Sequence, residues 1–177
     1  MMNLEIEICG VKVKPLNLDL EYELYDGTAP AIIYSVNGKE FLEWVKVSED
    51  GYTLERVDSY ERTNSRDEMQ EASGLEDEYD YFEFLDKLCD YLQETLDEEF
   101  EKKLANDPDK YELRHELCEP WDVERIEFGS IEDKWIWGAS TVEELERYYM
   151  RQIKDQYLDD DNYYIAEVGT HKIIKHY

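Results

Sequence analysis

The chain has 177 residues, with 46 Asp+Glu against 19 Lys+Arg, a formal net charge of −27 at pH 7. Such a charge argues against direct binding to DNA, RNA or an anionic membrane, because each of these is itself negative and would repel it. Hydrophobic residues make up 42% and aromatics 14%, with fifteen Tyr and four Trp, which is too many core formers for wholesale disorder.

The length suits one domain, or one plus a small lobe. No apolar run reaches the roughly 18 residues that a membrane span requires. The first residues, Met1-Met2-Asn3-Leu4-Glu5, have neither the basic nor the apolar region of a signal peptide. Cys9, Cys89 and Cys118 are odd in number and widely spaced, so reduced thiols in a cytoplasmic setting are expected.

Residues 1–57 read as an antiparallel meander of about five strands. Leu4, Ile6 and Ile8 alternate with Glu5 and Glu7. Leu16, Leu18, Leu20, Tyr22 and Leu24 alternate with Asn17, Asp19, Glu21 and Glu23, the period of a strand with one buried face. Asn37-Gly38 lies between two apolar runs and predicts a two-residue hairpin. Asp26-Gly27 and Glu49-Asp50-Gly51 are further turn signals.

Residues 58–78 form an acidic connection, with a short helix expected near Asp67–Ala72 and a breaker at Gly74. The lobe boundary is placed there, leaving 79–177 as a helical and mixed lobe. From 79 to 104 the spacing of Leu85, Leu88, Cys89, Leu92, Leu96, Phe100 and Leu104 draws one apolar stripe along a helix. Asn106-Asp107-Pro108 stops it, and a shorter helix is expected around Asp109–Leu117. Val123–Phe128 and Lys134–Trp137 read as strands. Ser140 and Thr141 both stand at capping-box spacing before a helix expected from Val142 to Tyr157. Tyr163–Val168, Gly169-Thr170 and His171–Tyr177 read as a closing hairpin. The fold class is therefore α+β: an N-terminal antiparallel meander, a long acidic amphipathic helix, and a C-terminal helix plus β-hairpin.

The charge is concentrated. Residues 67–101 carry fifteen acids and one base, Lys87, and so hold −14 of the −27. On the central helix Glu83, Asp86, Asp90, Glu94, Asp97 or Glu98, and Glu101 step by three or four, forming a row opposite the apolar stripe. Glu76 and Asp77 precede it. Asp19, Glu21 and Glu23 are expected to make a second row, on the outer face of their strand. The two rows are spaced somewhat like a nucleic-acid backbone, and a groove lined with Lys and Arg would attract them at low salt.

Sites for chemistry are sparse. There is no glycine-rich phosphate loop, His-Glu-x-x-His, Gly-x-Ser-x-Gly or Cys-x-x-Cys. His115 and Cys118 stand three apart on the expected helix, but two ligands do not make a zinc site. His171 and His176 point to opposite faces of a strand. Asp159-Asp160-Asp161-Asn162 lacks the glycine and the glutamate of a calcium loop. Trp135 and Trp137 read as core or junction residues. No catalysis, cofactor or metal is expected.

In size, charge and the acidic rows of 76–101 and 19–23, the chain resembles the DNA-mimic proteins. These are small, very acidic inhibitors, many from phages and mobile elements, which block restriction enzymes, CRISPR effectors or other DNA-binding proteins. The resemblance is at the level of the class, which shares no fold or motif, so it transfers no individual residue. It implies a non-catalytic inhibitor that fills the basic channel of a host-defence nuclease in the cytoplasm of an infected or carrier cell. An immunity protein or antitoxin that neutralises a basic toxin would use the same electrostatics. An enzyme or small-ligand protein would instead show a deep pocket with converging polar groups.

Overall fold

The computed structural model describes residues 2, 4–24, 27–55, 66–116, 133–154, 162–170 and 172–177. The expected strand at Val123–Phe128, together with Cys118, Tyr157, Asp159–Asp161 and His171, lies outside them. The fold is α+β, with two antiparallel sheets and three helices among the described residues. The chain divides into two compact units, residues 1–47 with 51–102, and residues 48–50 with 103–177.

The first unit contains the meander expected from the sequence. Strands β1 (Ile6–Ile8), β2 (Val11–Leu24), β3 (Gly27–Val36), β4 (Lys39–Ser48) and β5 (Gly51–Leu54) pair in chain order. Asn37 and Gly38 both have positive φ, +48° and +85°, as a tight two-residue hairpin requires. Cys9-Gly10 forms the same kind of turn, at +50° and +79°, which the sequence reading missed because cysteine is not a turn residue. The Asn37 side chain also fixes its surroundings. Its Oδ1 accepts from the Lys12 N–H at 3.0 Å, and its Nδ2 donates to the Ala72 carbonyl at 2.9 Å, at the end of helix α1 (Arg66–Ser73).

Strand β2 departs from the single alternation expected. Val11, Val13 and Pro15 are buried on the core face. Pro15 has no N–H to give to the ladder, and an extra residue, Leu16, is accommodated between Pro15 and Asn17. The phase therefore flips, and Leu18 faces Ile32 on the core side. A second irregularity between Asp19 and Tyr22 flips it again. Of the five predicted core residues, only Leu18 and Leu20 pack against the core. Tyr22 instead meets Trp44 edge-on at 6.2 Å, and Leu24 is exposed.

Helix α2 (Glu78–Asn106) closes this core. Tyr81, Phe84, Leu85, Leu88, Leu92 and Leu96 are buried against Ile8, Val13, Ile32, Tyr34, Phe41 and Val45 of the sheet. Each such side chain contributes about 1.5–3 kcal/mol through removal from water. The helix thus belongs mostly with the N-terminal sheet, not with the C-terminal lobe where the sequence boundary at 58–78 put it. The match of its stripe to the inward face of β3 decides the matter. Leu104, taken as the last residue of that stripe, is half exposed at 50%. Inside the core the Tyr34 hydroxyl donates to the buried Glu43 carboxylate at 2.9 Å. Burial first, and the Glu43 charge second, push the Tyr34 phenol well above its ordinary pKa.

The second unit contains β6 (Tyr111–Glu116), β7 (Asp133–Ala139), helix α3 (Val142–Gln152), β8 (Tyr163–Glu167) and β9 (Ile173–His176), with strand order β7-β6-β8-β9. The segment expected as a helix around Asp109–Leu117 is strand β6, in the middle of this sheet. Its alternation was hidden because both faces are buried, so Glu112, Leu113, Arg114 and His115 form one continuous interior run. Arg114 donates to Glu112 at 3.0 Å, two residues away and hence on the same face. His115 packs on Tyr163 at 4.4 Å; its expected spacing to Cys118 lies outside the described residues.

Helix α3 starts as expected. Thr141 is the N-cap, and the full capping box with Glu144 is present. Leu145, Tyr149 and Ile153 face the sheet, as the spacing predicted. Among the described residues the helix ends at Gln152. Trp135 and Trp137 stack at 6.4 Å, and Trp137 stacks on Tyr148 at 4.7 Å. Gly138 leaves room for Asp109: a Cβ there would stand 2.5 Å from the Asp109 Cγ and 3.1 Å from its Cβ. Asp109 is held by Lys103 at 2.9 Å. Lys175 of the terminal strand pairs with Glu146 at 2.6 Å.

Candidate acidic interface

Every residue of the predicted acidic rows lies in the first unit. Asp77 opens helix α2. Its Oδ1 accepts from the backbone N–H groups of Tyr79 at 2.9 Å and Asp80 at 3.2 Å, so this carboxylate serves as the N-cap. Glu76 is exposed just before it. Glu78 and Asp80 in the first turn add favourable charge near the positive end of the helix dipole.

Further along, Glu83, Asp86, Asp90, Glu94, Asp97, Glu98 and Glu101 are all exposed. At 3.6 residues per turn they fall within an arc of about 120°, centred opposite the buried stripe, and at 1.5 Å per residue Glu83 to Glu101 spans about 27 Å. Lys87 stands within this row and bonds to Glu83 at 2.6 Å. That hydrogen bond and the lysine's charge hold the Glu83 carboxyl below the usual carboxylate range. The same bond raises the Lys87 ammonium pKa, with Cys9 contributing next. Asp97 accepts from Gln93 Nε2 at 2.8 Å. Among the described residues, Asp86, Asp90, Glu94 and Glu101 have no cation partner.

The strand acids do not form the second row. Asp19 lies opposite Ala31 and Glu23 opposite Thr28, residues three apart on β3, so the irregularity between them turns the two carboxylates to opposite faces of the sheet. Glu21 sits within that irregularity, where its N–H donates to the Asp19 carboxylate at 3.0 Å. Asp19 shares its face with Ala31 and Trp44, away from the face that carries α2. The structure therefore assembles one acidic array on α2, and Asp19, Glu21 and Glu23 do not extend it.

Two features of this surface were missed in the sequence. Gln93 lies among the acids, yet its amide joins the helix to the sheet edge: Nε2 donates to the Tyr52 carbonyl at 2.9 Å and Oε1 accepts from the Leu54 N–H at 2.9 Å. Its sole sequence signal is a neutral side chain at the border between stripe and row. The second is an open groove of about 350 Å³ between β1 and α2, lined by Ile6, Glu7, Ile8 and Cys9 on one side and Lys87, Asp90, Tyr91 and Glu94 on the other. Tyr91 is half-buried there, with its hydroxyl donating to the Leu4 carbonyl at 3.0 Å. Burial, then the charges of Glu98 and Glu94, raise its phenol pKa.

Among the described residues no group of three or more His, Cys, Asp or Glu is placed to hold a metal ion, and no helix is long and apolar enough to cross a membrane. Comparison with protein-family models, with curated proteins and with solved structures finds no match to the chain.

Proposed function

We propose that the protein is a non-catalytic inhibitor that presents nucleic-acid-like negative charge and occupies the basic DNA- or RNA-binding channel of a host-defence nuclease, a CRISPR effector or a restriction enzyme, in the cytoplasm of the cell. The observation that carries this reading is the row of exposed carboxylates from Glu83 to Glu101, a stretch whose one basic side chain is Lys87. Its length of about 27 Å equals the rise of about eight nucleotides along a DNA duplex axis, at about 3.4 Å each. The row works against the helix that carries it, since like charges three or four residues apart are destabilising. A surface kept at a cost to stability fits a binding role better than it fits solubility, which scattered acids would serve equally well.

Steering by such a field makes association fast and strongly dependent on salt. The test is fluorescence anisotropy of a labelled DNA duplex bound to a purified CRISPR effector or restriction endonuclease. Added protein should release the duplex, at concentrations that rise steeply with salt, and the Asp86→Asn/Asp90→Asn/Glu94→Gln variant should release it poorly. A ternary complex that retains the duplex would overturn the proposal. Tight binding of one basic toxin, with no displacement of DNA from any nuclease, would identify an immunity protein or antitoxin instead.

A further inference from the structure

The groove beside β1 gives this part of the acidic surface two walls. Its helix side supplies Asp90 and Glu94, one turn apart and without a cation partner among the described residues. Lys87, at one end, is engaged by Glu83 and leaves these two carboxylates uncompensated. Between them and the strand lies the Tyr91 ring, fixed by its hydroxyl on Leu4. Ile6 and Ile8 supply apolar surface.

The strand side supplies backbone. The tight turn at Cys9-Gly10 makes Ile8 and Val11 a hydrogen-bonded pair, so Glu7 and Lys12 are a non-bonded pair, and the Glu7 N–H and C=O point away from β2. Lys12 has the matching phase: its N–H donates to Asn37 Oδ1 and its carbonyl accepts from the Asn37 N–H at 2.8 Å, both on the side away from β1. Strand β1 ends the sheet, so the outward groups of Glu7 face the groove.

We infer that this groove receives an arginine side chain of the basic partner, an inference that rests on the acidic-row reading above and specifies its anchor. A guanidinium brings five donors in a rigid plane, and here acceptors lie on two sides: the carboxylates of Asp90 and Glu94, and the carbonyl of Glu7. Its flat face can stack on Tyr91, and its methylene stem can lie along Ile6 and Ile8. A lysine ammonium would satisfy a carboxylate equally well but could neither bridge the two walls nor stack as a plane. Carboxylates on an open helix face discriminate little between the two cations.

The probes are nona-arginine and nona-lysine peptides, titrated calorimetrically into the full chain at 50 and 150 mM salt. The expected result is a preference for the arginine peptide of about tenfold. Asp90→Asn/Glu94→Gln should bring that ratio close to one, and Tyr91→Leu should reduce it. Asp86→Asn/Glu101→Gln removes the same charge outside the groove, and should weaken both peptides while leaving the ratio unchanged. Equal affinities in the wild-type protein, or a ratio that survives Asp90→Asn/Glu94→Gln, overturn the groove inference and leave the acidic row standing. Absence of salt-dependent binding by either peptide overturns both.

Discussion

Neutralising part of the acidic row should make the protein more stable. In Asp86→Asn/Asp90→Asn/Glu94→Gln five like-charge pairs three or four residues apart disappear, Glu83–Asp86, Asp86–Asp90, Asp90–Glu94, Glu94–Asp97 and Glu94–Glu98, and none of the three residues loses a cation partner among those described. At about 0.2–0.5 kcal/mol per pair, the expected gain is about 1–2.5 kcal/mol. For a chain of this length that raises Tm by about 2–10 °C, read by circular dichroism at low salt. In 1 M NaCl, where the screening length is about 3 Å, the difference should largely vanish. Lys87→Gln should move Tm the other way at low salt, because it removes the cation that pairs with Glu83. The coupled readout is release of DNA from the nuclease, which the triple variant should lose while gaining stability. An unchanged or lower Tm at low salt would refute the premise that these carboxylates repel one another, and with it the argument that the row is kept at a cost.

Tyr34→Phe should destabilise the first unit by about 1.5–3 kcal/mol in urea unfolding, because the buried Glu43 carboxylate loses a donor at 2.9 Å; a loss under 0.5 kcal/mol would contradict the role given to that bond. In the wild-type protein the folded state holds the Tyr34 proton above the ordinary value of 10.0. Its contribution is therefore whole below about pH 10 and is lost as pH climbs from there toward the folded value, so the Phe variant should show a shallower decline of stability above pH 10. Gly138→Ala should cost about 1–3 kcal/mol by forcing Asp109 away from Lys103, and in an Asp109→Ser background, where that pair is already absent, it should cost much less; no effect of Gly138→Ala would mean that Asp109 yields freely. Asp77→Ala should cost about 1 kcal/mol through loss of the N-cap, whereas Asp77→Asn should keep most of the stability; equal losses would argue that the charge, not the cap, is what matters.

The long elements were legible because their periods are strong. The leucine spacing from Leu85 to Leu96, the Asn37-Gly38 hairpin and the Thr141–Glu144 box each rest on a few neighbouring residues, and each is present. What failed depended on partners distant in the chain. Strand β6 looked helical because Glu112 and Arg114 neutralise each other inside a sheet buried on both faces, a fact that no local pattern records. The outer row of Asp19, Glu21 and Glu23 failed because periodicity assumes an unbroken ladder, and β2 contains two register shifts. The helical row was readable from spacing alone. The groove was not, since it depends on a tight turn at Cys9-Gly10 that lacks the usual turn chemistry and on the packing of β1 alongside Tyr91.

The Gln93 amide has an implication for how the meander behaves toward other chains. An unprotected terminal strand is a template on which further strands can polymerise, and β5 is such a strand. By occupying both the Tyr52 carbonyl and the Leu54 N–H, one uncharged side chain blunts that end of the ladder without adding to the protein's burden of negative charge. Replacing the glutamine would unseal this edge and open it to self-assembly.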